Sequence, residues 1–301
     1  MKNLAASVHA RLTQHRAKTG EEYNVLLVRF TLERLLYRLS RSSHREQFVL
    51  KGAMLFALWE PGLHRVTRDL DLLGFGHPSP ERLADIFREL CRLEVEADGV
   101  DFDARSVVCE DIRAQDEYAG IRVKLRANLG KAVVPLQVDV GFGDALPVAP
   151  EEITFPVMLG MAAPKLRAYS RETVVAEKLE AIVKLGMLNS RFKDYFDLHY
   201  LAQKFPFEGD LLVKSIAATF DRRGTAFPAG LPAGLTPMFG TDPAKVRGWQ
   251  AFWRKTGLKN EAPELAAVIE LLVEFLERPL DAAAKKKPLA ATWKLNRWLK
   301  T

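Results

Sequence analysis

The chain is poor in the residues that build redox and soft-metal sites. Its 301 residues include two cysteines, Cys91 and Cys109. They have no metal-ligand spacing and read as buried thiols rather than a disulfide. The six histidines, His9, His15, His44, His64, His77 and His199, are scattered. No two stand at metal-ligand spacing, so they read as surface or packing residues. No apolar run approaches the ~20 residues needed to span a bilayer. Met1-Lys2-Asn3-Leu4 does not open a signal-peptide hydrophobic region. A soluble, cytoplasmic chain with no membrane partner is the expectation. A strong charge excess is missing too. The net charge of +6 and pI of about 9.2 fit a phosphate-rich partner such as RNA without requiring one. There is no internal repeat.

Apolar residues, by contrast, are plentiful. A hydrophobic content of 48% over this length predicts one large domain or two closely packed ones. Val25, Leu26, Val28, Leu32, Leu35, Leu36 and Leu39 recur at helical spacing over residues 22–41. Phe48-Val49-Leu50 reads as a short strand, followed by a turn at Gly52 and a helix start from Met54 to Trp59. Pro80 to Leu93 reads as a helix capped by Ser79. Residues 104–112, 119–128 and 133–140 read as strands, the second alternating apolar and basic. From about residue 171 the pattern is helical. A Gly/Pro-rich loop is expected over 221–243, then helices near 243–256 and 262–278. The basic tail with Trp293 and Trp298 either steers RNA or is a mobile segment ending in a short helix packed by its tryptophans.

The most informative run is Thr67-Arg68-Asp69-Leu70-Asp71-Leu72-Leu73. In a strand, residues i and i+2 share a face, so Asp69 and Asp71 project side by side while the leucines hold the core. Two adjacent carboxylates repel unless a positive group lies between them. A hard divalent cation carrying a phosphate ligand meets that need. A solvated pair is the plainer reading, and Asp101-Phe102-Asp103 is a second such pair. Context favours the first. The Gly52 turn offers backbone N–H groups at a helix start, where phosphate binds. Asp139, late in the apolar strand from Val133 to Val140, supplies a third acid for a metal cradle. This order resembles the nucleotidyltransferase superfamily related to polymerase β.

Two later helices add charge on apolar faces. In Glu172 to Leu185, Lys178 falls within the arc of Val174, Val175, Leu179, Ile182 and Leu185. It either snorkels to solvent or reaches an acid or a triphosphate. In Lys193 to Ala202, Asp194 lies on the face of Leu198, Leu201 and Ala202. It either caps the helix or pairs inward with Lys178.

Lys51-Gly52-Ala53, Thr67 to Leu72, Ala176 to Ala181 and Arg191 to Leu198 together resemble the four motifs of the AbiEii-type nucleotidyltransferase toxins. The likeness spans roughly residues 20–280. It implies an α+β fold: a mixed-sheet nucleotidyltransferase core with N-terminal helices over 1–165, and a helical C-terminal domain over 166–301 closing the active site. It implies a toxin of a bacterial toxin–antitoxin system that transfers a nucleoside monophosphate from an NTP to RNA, with the tRNA 3′ end as acceptor. Asp69, Asp71 and Asp139 would hold Mg²⁺ or Mn²⁺, Asp139 alternatively accepting the hydroxyl proton. Lys51, Gly52, Ala53, Arg68, Lys178, Lys193 and Asp194 would bind the nucleotide. A cognate antitoxin is the expected partner. Many members have Ser after the glycine, where this chain has Ala53, which leaves phosphate to the backbone amides. The competing readings are a non-catalytic nucleotide- or RNA-binding relative, and a nucleotidyltransferase acting on a protein or small molecule.

Overall fold

In a computed structural model of the chain, the described residues are 4–59, 65, 67–112, 120–258 and 260–300. They divide into two compact units, Met1–Gly143 with Pro150–Tyr169, and Asp144–Ala149 with Ser170–Thr301.

The first unit runs α1 (Leu4–Thr19), α2 (Tyr23–Arg41), β1 (Phe48–Lys51), α3 (Phe56–Trp59), β2 (Asp69–Gly74), α4 (Pro80–Arg92), β3 (Val100–Ile112), β4 (Gly120–Leu129), β5 (Ala132–Phe142), β6 (Glu151–Thr154) and β7 (Lys165–Ala168). Its seven strands form one sheet in the order β3-β4-β5-β2-β1-β7-β6. β2 lies parallel to β5 and β1 parallel to β7, while the other neighbours are antiparallel. The fold is therefore α+β with a mixed sheet, as the sequence predicts. The expected strand start at Ala119 lies outside the described residues.

Local chemistry explains these elements. Leu70, Leu72 and Leu73 are buried and fix β2 in the centre of the sheet. Ser79 accepts from the Arg82 N–H and Pro80 occupies the first turn of α4. That helix buries Leu83, Ile86, Phe87 and Leu90 against β3 and β4. α2 also buries charge. Arg38 grips Asp98 at 2.7 and 3.3 Å, Arg34 donates to Glu33 and to the Ala162 carbonyl, and Glu33 accepts the Met158 N–H. These bonds tether the loops around residues 98 and 158–162, since buried charges persist only when paired. The sequence gives little sign of α1, because Val8 and Leu12 are its two buried residues.

The second unit contains α5 (Arg171–Leu185), α6 (Phe192–Lys204), β8 (Phe207–Glu208), α7 (Gly209–Arg222), α8 (Pro237–Thr241), α9 (Pro243–Trp253), α10 (Leu265–Ala284), β9 (Ala291–Lys294) and β10 (Arg297–Lys300). The Gly/Pro stretch is less open than expected. It contains a 3₁₀ turn at Ala233–Leu235 and α8, capped by the Thr236 hydroxyl. Tyr195 stacks on Phe239 at 5.0 Å and Phe196 meets Trp253 edge-on at 5.5 Å, so aromatic rings fill this core.

The tail departs from both expectations. It is neither a mobile segment nor a helix but a hairpin, β9–β10, added to β8. Trp293 is fully buried, lies 4.9 Å from Phe275 and donates to the Ala202 carbonyl, so it cannot stack on RNA. Trp298 donates to the Phe275 carbonyl. The signal was a two-residue period, with Ala291 and Trp293 facing inward, hidden among lysines. Leu295 and Asn296 sit at φ of 55° and 57° in the connecting turn. That is the mirror-image turn that suits strand twist, although leucine is an unusual residue for it. No helix among the described residues is long and apolar enough to cross a membrane.

Candidate active site

β2 carries the first cluster. Asp69 and Asp71 are half-buried and alternate with the buried leucines. Register places Asp71 opposite Asp139 of the parallel neighbour β5. Oxygen atoms of Asp69, Asp71 and Asp139 all lie within 4.8 Å of one another, and this is the metal-competent group found among the described residues. The second Asp pair, Asp101 and Asp103 on β3, belongs to no such group. Asp103 instead accepts from the Arg105 N–H and lies 3.4 Å from Arg126. Three hard oxygen donors in a half-buried setting fit a divalent cation such as Mg²⁺.

The neighbours of this triad explain how it is held. Thr67 Oγ1 donates to Asp69 Oδ1 at 2.6 Å. Arg122 on β4 donates from Nε and Nη2 to the two Asp139 oxygens, each at 2.8 Å, and Gln137 adds a 3.3 Å bond. The hydrogen bond that Arg122 donates to Asp139 raises the Arg122 pKa, against the opposing effect of burial. Lys51 is opposite Asp71 in register, and its ammonium lies 5.3 Å from the centre of the Tyr169 ring. Gly52 has φ of 74°, and a Cβ there would stand 1.9 Å from Asp71 Oδ2. Glycine is thus required because the backbone presses on a triad carboxylate. The turn that follows is 3₁₀, from Gly52 to Leu55, and α3 has four residues. A helix this short has little dipole, so phosphate contacts there would fall to individual N–H groups. Ala53 is half-buried. Arg68 is exposed and lies 3.8 Å from Glu22.

The second cluster joins α5 and α6. Lys178 Nζ lies 2.8 Å from Asp194 Oδ1 and 2.8 Å from Asp197 Oδ2. Arg191 Nε donates to Asp194 Oδ2 at 2.6 Å. Both aspartates are fully buried. Asp194 occupies the first turn of α6, yet its oxygens turn to these cations. Burial alone would raise its pKa, but Lys178 and Arg191 outweigh burial and hold it below the ordinary value. Asp197 was assigned no role from sequence. Its spacing of three from Asp194, on one helix face, was the available signal. Lys193 is exposed. A third cluster also escaped sequence reasoning. Arg223 reaches Glu180 at 2.7 Å, Glu177 at 3.4 Å and Asp144 at 3.5 Å.

Comparison with known proteins gives the following. The family model for the nucleotidyl transferase AbiEii toxin of type IV toxin–antitoxin systems matches residues 34–271. No curated protein matches the chain. A candidate nucleotidyltransferase from H. pylori, of known structure, is 19% identical, with 88% of this chain and 97% of that one covered and a TM-score of 0.48. JHP933 from Helicobacter pylori is 20% identical, with 87% and 92% covered and a TM-score of 0.47. The family match takes in most of the chain and includes Asp69, Asp71, Asp139, Lys178 and Asp194. With those residues placed, the chain belongs to the AbiEii nucleotidyltransferase toxin family and is a nucleotidyltransferase, a membership that implies an NTP substrate and an antitoxin.

Proposed function

We propose that this protein transfers a nucleoside monophosphate from an NTP to the 3′ end of tRNA in the cytoplasm, with Mg²⁺ as cofactor. The acceptor hydroxyl oxygen forms a bond to the α-phosphorus and gives up its proton to solvent water, the α–β bridging P–O bond breaks, and pyrophosphate leaves with its electron pair. The observation that carries this reading is the triad of Asp69, Asp71 and Asp139 on adjacent strands, with oxygens within 4.8 Å. Such a triad suits Mg²⁺ or Mn²⁺, which neutralises charge on the transferring phosphate.

The chain's own groups divide the work. Asp69 and Asp71 hold the cation from one strand. Both Asp139 oxygens already accept from Arg122. That favours Asp139 as a fixed ligand over a base that must turn to the incoming hydroxyl. Lys51 and the amides after Gly52 serve phosphate, as does Arg68 from its exposed position. Lys178 contacts the phosphate chain, with Asp194 and Asp197 holding its ammonium, and Lys193 adds a surface contact.

The test is incubation of the full chain with each labelled NTP, Mg²⁺ and either intact tRNA or tRNA oxidised by periodate at its 3′ end. Labelling of intact tRNA alone is the expected result. Equal labelling of both, or label on protein with none on RNA, overturns the tRNA 3′-end acceptor.

A further inference from the structure

The acids of the triad do not stand alone in the sheet. Successive pairings set Lys51, Asp71, Asp139 and Arg122 in one cross-strand row over β1, β2, β5 and β4. The signs along it read plus, minus, minus, plus. Directly opposed side chains on neighbouring strands interact, so each acid is flanked by a cation on its outer side and by its fellow acid on its inner side. At the β4 end the contact is a two-pronged guanidinium–carboxylate bond, at 2.8 Å for both prongs. That geometry is the strongest form a surface ion pair takes.

The fork has a consequence for the triad. Asp139 has two oxygens, and Arg122 engages both. Each of these bonds uses one lone pair of its oxygen, so a cation seated among Asp69, Asp71 and Asp139 shares an Asp139 oxygen with the guanidinium and meets its positive charge close by. We propose that Arg122 is a resident counter-ion of the triad, competing with the divalent metal for Asp139 and so setting the metal affinity of the site. This inference rests on the metal reading above. It assigns Arg122 a positioning role that works through Asp139. A bound metal would weaken the Arg122 bonds to the shared carboxylate and leave a guanidinium beside a site whose substrate is a polyanion. Metal alone should therefore bind modestly, because the cation must share Asp139 with a fixed positive charge.

Lys124 gives a control. It lies two residues along β4 on the same face, opposite Gln137 rather than an acid of the triad, and pairs with Glu110 at 2.5 Å. Its removal deletes the same unit charge from the same strand without freeing Asp139.

The experiment titrates Mn²⁺ alone into the full chain and reads free Mn²⁺ by electron paramagnetic resonance, with folding followed by circular dichroism. Wild type, Arg122→Gln, Arg122→Lys, Lys124→Gln and Asp71→Asn are compared. Arg122→Gln should bind Mn²⁺ roughly ten-fold tighter than wild type, because the competing charge is gone. Arg122→Lys should fall between the two, since it keeps the charge and loses the fork. Lys124→Gln should change affinity by less than about three-fold, as expected of a screened surface charge. Unchanged or weaker binding in Arg122→Gln overturns the proposal, and so does an equal gain in Lys124→Gln. Absence of Mn²⁺ binding in wild type and Arg122→Gln alike, matching Asp71→Asn, overturns the metal reading itself. The two failures are thereby distinguished.

Discussion

The two charge clusters differ in their arithmetic. On the sheet, Asp71 and Asp139 share a row with two cations, Lys51 and Arg122, and Asp69 stands two residues before Asp71 on β2. Between α5 and α6, two carboxylates, Asp194 and Asp197, meet two cations, Lys178 and Arg191. The sheet cluster is half-buried and crowds three carboxylates within 4.8 Å of one another. The helix cluster is buried at its acids and neutral. A cluster of crowded carboxylates with access to solvent is built to take an ion. A cluster whose acids are buried and paired holds its members in place, because either acid left alone would be a buried unpaired charge. Substitution should therefore cost activity alone in the first, and stability as well as activity in the second.

The sharpest way to break that contrast is Asp71→Asn. We expect nucleotide transfer to fall about 10³-fold or more, since a metal ligand and its transition-state role are lost. Stability should stay within about 1 kcal/mol of wild type, because one source of repulsion goes too. Single-turnover labelling and urea denaturation measure the two. Full activity in this variant would sink the metal assignment.

Lys178→Met is the mirror experiment. It strands Asp194 and Asp197 without their shared ammonium, and should destabilise the protein by about 3–5 kcal/mol in urea denaturation. Replacing Lys178 and Asp194 together with leucine keeps the acids and cations equal in number but still removes the ammonium that Asp197 meets at 2.8 Å. A Lys178→Met protein that is fully stable but inactive would move the helix cluster into the class of the sheet cluster.

These expectations bear on what the sequence could tell. Asp69, Asp71 and Asp139 were readable because strand alternation is local and each acid interrupts an apolar pattern. Arg122 was not, since its meeting with Asp139 depends on which strands pair and in what register. Lys178 and Asp194 were readable as misplaced charges on apolar faces, and Asp197 stood one turn further on. The β9–β10 hairpin was misread because six cations in its neighbourhood mask a two-residue period of four strand positions.

A smaller effect is expected with pH. Asp194 has a folded pKa below its ordinary value of 3.8. Its ionised form therefore adds stability that is fully present above that ordinary value, and the contribution is lost as pH falls through the lower folded value. Asp194→Asn lacks this term. The stability gap between wild type and variant, measured by denaturation, should be constant near neutrality and shrink below about pH 4. A gap that stays constant there would show that Lys178 and Arg191 do not act on Asp194 electrostatically.

Arg68→Ala should give the smallest change. Arg68 and Glu22 are both mostly exposed, so stability should move by less than about 0.5 kcal/mol. The apparent KM for NTP should rise roughly three-fold, the size expected for one solvated phosphate contact. A loss as large as that of Asp71→Asn would mean that the contrast between core and rim of the sheet cluster is drawn in the wrong place.

The burial of Trp293 also bears on how these measurements are made. Of the five tryptophans, Trp249, Trp253, Trp293 and Trp298 lie in the second unit and Trp59 alone in the first. Intrinsic fluorescence will thus report mainly the melting of the helical unit and its hairpin. A variant that loosens the sheet could pass unnoticed by that optical probe. Far-ultraviolet dichroism or amide exchange on β2 and β5 is the matching observable for the unit that carries the triad.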